Sequence, residues 1–274
     1  MSFRNTVLVR GVLLLTALGG GPEAWAWGPV GHQAVLTKAI DTLPNPLKAF
    51  YKNHRLELPS LAPDAEAPST DEGPERRFAV DRLLAFPFLD LPRNEGELSA
   101  RYGEPAGKAG RLPWLILEGY AHLVDAFKAG DKSRILAESD ALAALVADLK
   151  NPLVLTDNAD GQKTGQHGLF LRFSARLPEA MERRLKLNAE TARFLDDPKE
   201  YVFGMIAATY VWLDNLLYQE ALAKRGKNGY TEIYYESFEL RSGGLLRELL
   251  SEAAADAGSY WYTAWTAAGK PALK

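Results

Sequence analysis

The sequence predicts an all-α protein, a single multi-helix domain interrupted by one long irregular loop region. Three observations predict it. Apolar residues recur at helical spacing through most of the second half of the chain. A hydrophobic fraction of 47% over 274 residues provides enough apolar surface for a packed core. Eight of the 16 prolines crowd between Pro59 and Pro113, with Gly73, Gly96, Gly103, Gly107 and Gly110 among them, which marks the irregular stretch.

Residues 1–26 read as an export signal. Arg4 and Arg10 precede the apolar run Val12 to Leu18, and Ala24-Trp25-Ala26 supplies a small-x-small cleavage pattern. Cleavage there makes Trp27 the mature N-terminus of a helical domain over 27–274 and places the protein in the periplasm or outside the cell. No transmembrane segment is expected after cleavage, because no later stretch is long and apolar enough to span a bilayer.

A helix is expected from Pro29 to Tyr51, closed around Pro44 and Pro46. Short elements such as Phe78 to Phe88 interrupt the irregular region. After Pro113, Trp114, Leu117, Ala121, Val124 and Phe127 form one helical stripe that Gly130 ends. Leu136, Leu142, Leu145, Val146 and Leu149 form a second, stopped by Asn151-Pro152. A polar loop from Thr156 to Gly161 follows. Further helices are expected over about 167–180, 181–196, 199–225 and 242–267, with Thr231 to Tyr235 a candidate extended piece.

Composition excludes several chemistries. The absence of cysteine removes disulfides, thiolate zinc sites and a cysteine nucleophile. His32, His54, His122 and His167 are the four histidines, which caps any imidazole-rich metal centre. The net charge of −3 becomes one unit more acidic once Arg4, Arg10 and Glu23 leave. The chain therefore lacks the basic excess that displaces phosphate counterions, and there is no strong nucleic-acid signal.

Several stretches together resemble the zinc-dependent phospholipase C and single-strand-specific nuclease superfamily. They are Trp27-Gly28-Pro29-Val30-Gly31-His32 directly after the cleavage site, Leu112-Pro113-Trp114 leading to Leu123 through Asp131, and a frame running from Ala144 and Asp148 through Asn158-Ala159-Asp160-Gly161 to Phe170 and Ser174. Arg77-Phe78-Ala79-Val80-Asp81 is a weaker fourth match. The likeness covers most of residues 27–175. It implies that the Trp27 amine and carbonyl, His32 and Asp148 are metal ligands, with Asp64 as a further acidic ligand and Asp71 a poorer candidate for that role.

The chain departs from that pattern where the metal would sit. Phe78, Ala144, Val154 and Phe170 stand where the resemblance implies histidines, and Ser174 where it implies an acid. Hydrocarbon has no lone pair to donate, so a three-zinc cluster is not expected, and one zinc ion on Trp27, His32 and Asp148 is the most the donors allow. Should Asp64 and Asp148 converge in a buried pocket, a cation, a basic partner or water must relieve their repulsion. His54 and His122 read as solvated. His167 is a candidate for the old cluster region, and with Asp160 a candidate helper in any surviving chemistry.

Phosphodiester hydrolysis in the family needs adjacent metals. The expectation is therefore a non-catalytic, pseudoenzyme-like protein whose Phe78, Ala144, Val154 and Phe170 line an apolar pocket for a small ligand or a partner segment. Two alternatives stand beside it. One is a zinc-dependent phosphoesterase of phospholipase C or nuclease type, acting on a phosphate-ester ligand through a reduced metal site. The other is an exported helical structural protein.

Overall fold

The computed structural model describes residues 26–58 and 75–273. Residues 1–25 of the expected export signal, and Asp64 and Asp71, lie outside the described residues. Those that are described form one all-α domain with no strand among them.

Local chemistry fixes the helix ends. Helix α1 (Pro29–Thr42) opens on a proline in its first turn, where the missing N–H costs nothing. Short α2 (Leu47–Asn53) follows the Pro44–Pro46 break. The irregular region holds two short helices that periodicity did not single out, α3 (Glu95–Tyr102), capped by the Asn94 side chain, and α4 (Glu104–Ala109). Helix α5 (Leu112–Ala129) ends where Gly130 takes the left-handed conformation, φ 64°, that a side chain would disfavour. Helix α6 (Lys132–Leu149) starts on Asp131, whose carboxylate accepts the Arg134 N–H at 3.1 Å. Then come α7 (Leu169–Leu171), a π-type turn over Arg172–Arg176, and α8 (Leu177–Met181). Helix α9 (Pro198–Tyr210), α10 (Leu213–Lys224) and the 36-residue α11 (Glu232–Ala267) complete the chain.

Three expectations are corrected. Of the helix expected over 181–196, residues 185–196 are not helical. Leu185, Leu187 and Ala189 are half-buried while Lys186, Asn188 and Glu190 are exposed, a period of two that favours extended chain. The segment is strapped to α11 by that helix's hydroxyls: Ser251, Ser259 and Thr263 accept the N–H groups of Asn188, Arg193 and Leu195 at 3.0 to 3.1 Å. The candidate extended piece from Thr231 to Tyr235 instead opens α11, with Thr231 at its N-cap. The helix expected over 199–225 is broken between Tyr210 and Leu213.

Helix α11 is the spine against which α1, α5, α6 and α10 pack, and α5 lies along α6. Small residues let α1 approach it. A Cβ added at Gly258 would overlap Thr42 Oγ1, and Ala253, Ala254 and Ala257 are buried nearby along the same helix. A buried polar cluster docks α10: the Arg172 guanidinium and the Tyr234 hydroxyl both donate to Glu220, at 2.9 and 2.8 Å. In the core, Trp261 stacks on Tyr51 at 4.7 Å, and the Tyr51 hydroxyl lies 2.6 Å from Ser139 Oγ.

Gly258→Ala is expected to lower stability by about 1–3 kcal/mol, the usual cost of overpacking. Adding Thr42→Ala should recover part of that loss, as read by thermal unfolding of the single and double variants. A second expectation concerns pH. Burial pushes the phenols of Tyr51, Tyr234 and Tyr260 well above their ordinary value. These groups stay neutral in the folded chain while the unfolded chain ionises them near pH 10, so their contribution is complete below that pH. It is lost as pH rises further, by about 1.4 kcal/mol per pH unit for each group. Urea unfolding followed across the alkaline range, with phenolate absorbance recorded in parallel, checks this. Ionisation of these tyrosines at their ordinary pKa with the fold intact would refute it.

Candidate functional site

The site assembles around Asp148, in the last turn of α6. A fully buried carboxylate is unfavourable there on two counts, desolvation and the negative end of the helix dipole. Two separate segments supply its partners.

The first is the chain just before α1. The Ala26 N–H donates to Asp148 Oδ1 at 3.0 Å, and His32 Nε2, from the first turn of α1, lies 3.3 Å from the same oxygen. This entry segment is anchored along its length. The Trp27 indole N–H donates to the Ala147 carbonyl at 2.7 Å and its fully buried ring sits 5.5 Å from Phe173. Gly28 N–H donates to the Ser174 carbonyl at 3.0 Å. The Asn151 side-chain amide donates to both the Ala26 carbonyl, at 2.7 Å, and Ser174 Oγ, at 2.8 Å.

The second partner is Arg76. Its Nε and one terminal nitrogen donate to Asp148 Oδ2 at 3.0 and 2.6 Å. The backbone around Arg76 is clipped on both sides. Arg111 and Leu112, at the start of α5, donate to the carbonyls of Glu75 and Arg77 at 3.2 and 3.1 Å. Phe78 and Ala79 N–H groups donate to the Val154 and Ala109 carbonyls at 2.9 and 2.8 Å. Burial pushes the Asp148 carboxyl up, but the Arg76 guanidinium and His32 outweigh it and hold the group below its ordinary value.

Downstream of this pair, Asp81 ties the polar loop to the same segment. Its carboxylate accepts the Thr156 hydroxyl at 2.6 Å and the Asp157 N–H at 2.8 Å. Asp157 in turn pairs with Arg82 and with Lys163.

Of the residues expected as metal ligands, the structure brings Trp27, His32 and Asp148 together, and Asp64 lies outside the described residues. As arranged, these residues do not suit a divalent cation. In the uncleaved chain both Asp148 oxygens receive donors and the Trp27 nitrogen is an amide joined to Ala26; after cleavage the Arg76 guanidinium still occupies Oδ2, and a metal would sit beside that buried like charge. Among the described residues, no three His, Asp or Glu side chains converge as a ligand set.

Phe78, Val154 and Phe170 are fully buried in the hydrophobic core, and Ala144 is buried on α6. Phe78 meets Trp114 edge-on at 5.4 Å. Ser174 is wholly buried and serves as a hydrogen-bond acceptor for Asn151. Asp160 accepts the N–H groups of Gly168 and Phe170 at 2.8 and 3.1 Å, a structural use at the start of α7. His167 is exposed, and its carbonyl accepts from Arg172. His54 and His122 lie beside Glu57 and Glu138.

Arg76 and Asn151 are the residues that sequence reasoning did not single out. The signal for Arg76 was its place directly before Arg77-Phe78, combined with the need of a buried Asp148 for a basic partner. No protein-family model matches the chain, and no curated protein matches it. The likeness drawn from the sequence therefore stands on the residues between Trp27 and Ser174 alone.

Arg76→Met is expected to cost about 3–5 kcal/mol, because it strands a buried charge. Asp148→Asn keeps an acceptor for the Ala26 N–H and should cost less. The double variant should fall short of the two single costs added together by about 1 kcal/mol or more. Urea unfolding of the four proteins measures this, and strict additivity would show that the two side chains do not act as a pair.

Proposed function

We propose that this chain is an exported, non-catalytic protein, similar in plan to the zinc-dependent phospholipase C and nuclease family, that acts by binding a partner rather than by hydrolysing phosphate esters. The observation that carries this reading is the Arg76 guanidinium on Asp148 Oδ2, at 2.6 Å from its terminal nitrogen. A permanent side-chain cation there supplies the neutralising charge that a metal would bring, but it cannot polarise a phosphoryl oxygen by coordination or generate a metal-bound hydroxide.

Two further features support the reading. Phe78, Val154 and Phe170 offer hydrocarbon where hydrolysis would need nitrogen donors, and they are spent on core packing. No open space at these residues is needed for the proposed role, so a partner would be recognised elsewhere on the molecule. Export is supported by the Arg4 to Ala26 pattern, and no helix among the described residues is long and apolar enough to cross a membrane.

The competing reading, a zinc-dependent phosphoesterase with a reduced metal site, draws on the 3.3 Å approach of His32 Nε2 to Asp148. Metal analysis of the processed protein after equilibration with zinc, alongside phosphodiesterase and phospholipase assays, separates the two. The expected result is zinc well below one ion per chain and no hydrolysis above a heat-unfolded control. Stoichiometric zinc that is lost in Asp148→Asn, together with hydrolysis that follows the zinc, would overturn the proposal in favour of the enzyme.

A further inference from the structure

The small-x-small pattern Ala24-Trp25-Ala26 puts the expected cut between Ala26 and Trp27. In the folded chain that bond is not at the surface. Ala26, Trp27 and Gly28 are all buried, the first two with no exposed area. A peptidase of this specificity must take the Ala26 side chain into a pocket of its own and bring a nucleophile to the Ala26 carbonyl. Both groups are inside the fold.

The groups that hydrolysis needs are also in use. The Ala26 carbonyl accepts the Asn151 side-chain amide at 2.7 Å, and the Ala26 N–H donates to Asp148 Oδ1 at 3.0 Å. On the other side of the bond, the Trp27 indole N–H donates to the Ala147 carbonyl at 2.7 Å and the Gly28 N–H to the Ser174 carbonyl at 3.0 Å. The backbone at Gly28 runs so close to the π-type turn that an added Cβ would stand 3.0 Å from Ala175 Cβ. The end of α6, the turn that follows it and the π-type turn thus grip the chain on both sides of the bond.

Protease attack on a folded chain is limited to the fraction of molecules in which the attacked segment has opened. Opening here pulls the Trp27 ring away from Phe173, 5.5 Å distant between centroids, and strips a donor from a buried carboxylate. It also leaves the Asn151 amide without one of its two acceptors. Each loss exposes apolar surface or strands a buried polar group, so the open fraction is small.

We propose that Ala26–Trp27 is a fold-gated processing site: the bond is cut only before the entry segment docks against α6, and docking seals it. The cut is a hydrolysis in which water adds across the amide, leaving a carboxylate on Ala26 and an amine on Trp27. The inference rests on the export reading above, which makes the bond a substrate in the first place. The order of folding and cutting then decides between two products, one beginning at Trp27 and one that keeps residues 1–26.

A signal peptidase of small-x-small specificity, added to the full-length chain in non-ionic detergent, tests this. Chain unfolded in urea and diluted directly into the peptidase should be cut, with intact-mass analysis giving a product that begins at Trp27. The same chain refolded before the peptidase is added should be cut at least tenfold more slowly. Asn151→Ala leaves the sequence around the bond untouched, and should speed cutting of the refolded chain about tenfold by removing the donor to the Ala26 carbonyl, with no change for the unfolded chain. Circular dichroism shows whether that variant folds. Ser174→Ala, which takes away only one acceptor of the Asn151 amide, is the milder companion and should speed cutting by a smaller factor. Equal rates for folded and unfolded wild-type chain would overturn the seal and leave the export reading standing. No cutting of the unfolded chain at this bond would overturn both. A slow folded chain whose rate neither variant changes would overturn the assignment of the seal to these contacts.

Discussion

The constraint on which the rest of this structure depends is a fully buried negative charge at the wrong end of a helix. Asp148 has no access to water and lies where the α6 dipole disfavours an anion. It is tolerable because Arg76 and His32 converge on it from two other parts of the chain, joined before cleavage by the Ala26 N–H. Meeting that demand sets the tertiary structure locally. The entry segment before α1 must lie against the end of α6, and the segment holding Arg76 must cross between α5 and the turn at Val154. Asn151, three residues beyond Asp148, completes the join by holding the Ala26 carbonyl and Ser174 with one amide group.

A different economy operates at α11. Its buried face is rich in alanine and glycine where α1 crosses, so backbone approaches backbone and little side-chain volume is spent. Its hydroxyl-bearing face handles the extended chain over 185–197, which has no neighbouring strand to satisfy its main chain. Ser251, Ser259 and Thr263 take over that task, although each of these residues is commonplace within a helix. An all-α domain thus carries an extended segment without building a sheet.

Much of this was readable from the residues, and the failures have physical causes. The helices with wide apolar stripes, α5 and α6, announced themselves, as did the stops at Gly130 and at Asn151-Pro152. The run was misread because Met181, Leu185, Ala189 and Ala192 also fall at helical spacing, and only the burial of alternate residues over 185–190 decides between the two periods. Helices α3 and α4 were hidden by Gly and Pro content, yet Asn94 and Pro105 are both start signals. At the site, the grouping of Trp27, His32 and Asp148 was what the family resemblance implied. The Arg76 contact did not, because it spans 72 residues and depends on backbone clips that no local pattern encodes. The apolar residues expected to line a pocket were correctly seen as hydrocarbon, but sequence cannot distinguish a lined cavity from a filled one.

The Arg76–Asp148 contact also dictates an order of operations for anyone wishing to build a metal centre into this scaffold. Histidines introduced at Phe78, Val154 and Phe170 would enter a packed core beside a fixed positive charge, and each step would worsen the electrostatics of the next. The arginine has to be removed first, at the moment when nothing else neutralises the carboxylate. Every single-substitution route therefore passes through a destabilised intermediate. The ion pair behaves as a ratchet: its presence closes the shortest path to a coordinated metal and keeps this scaffold on the side where the carboxylate serves the fold.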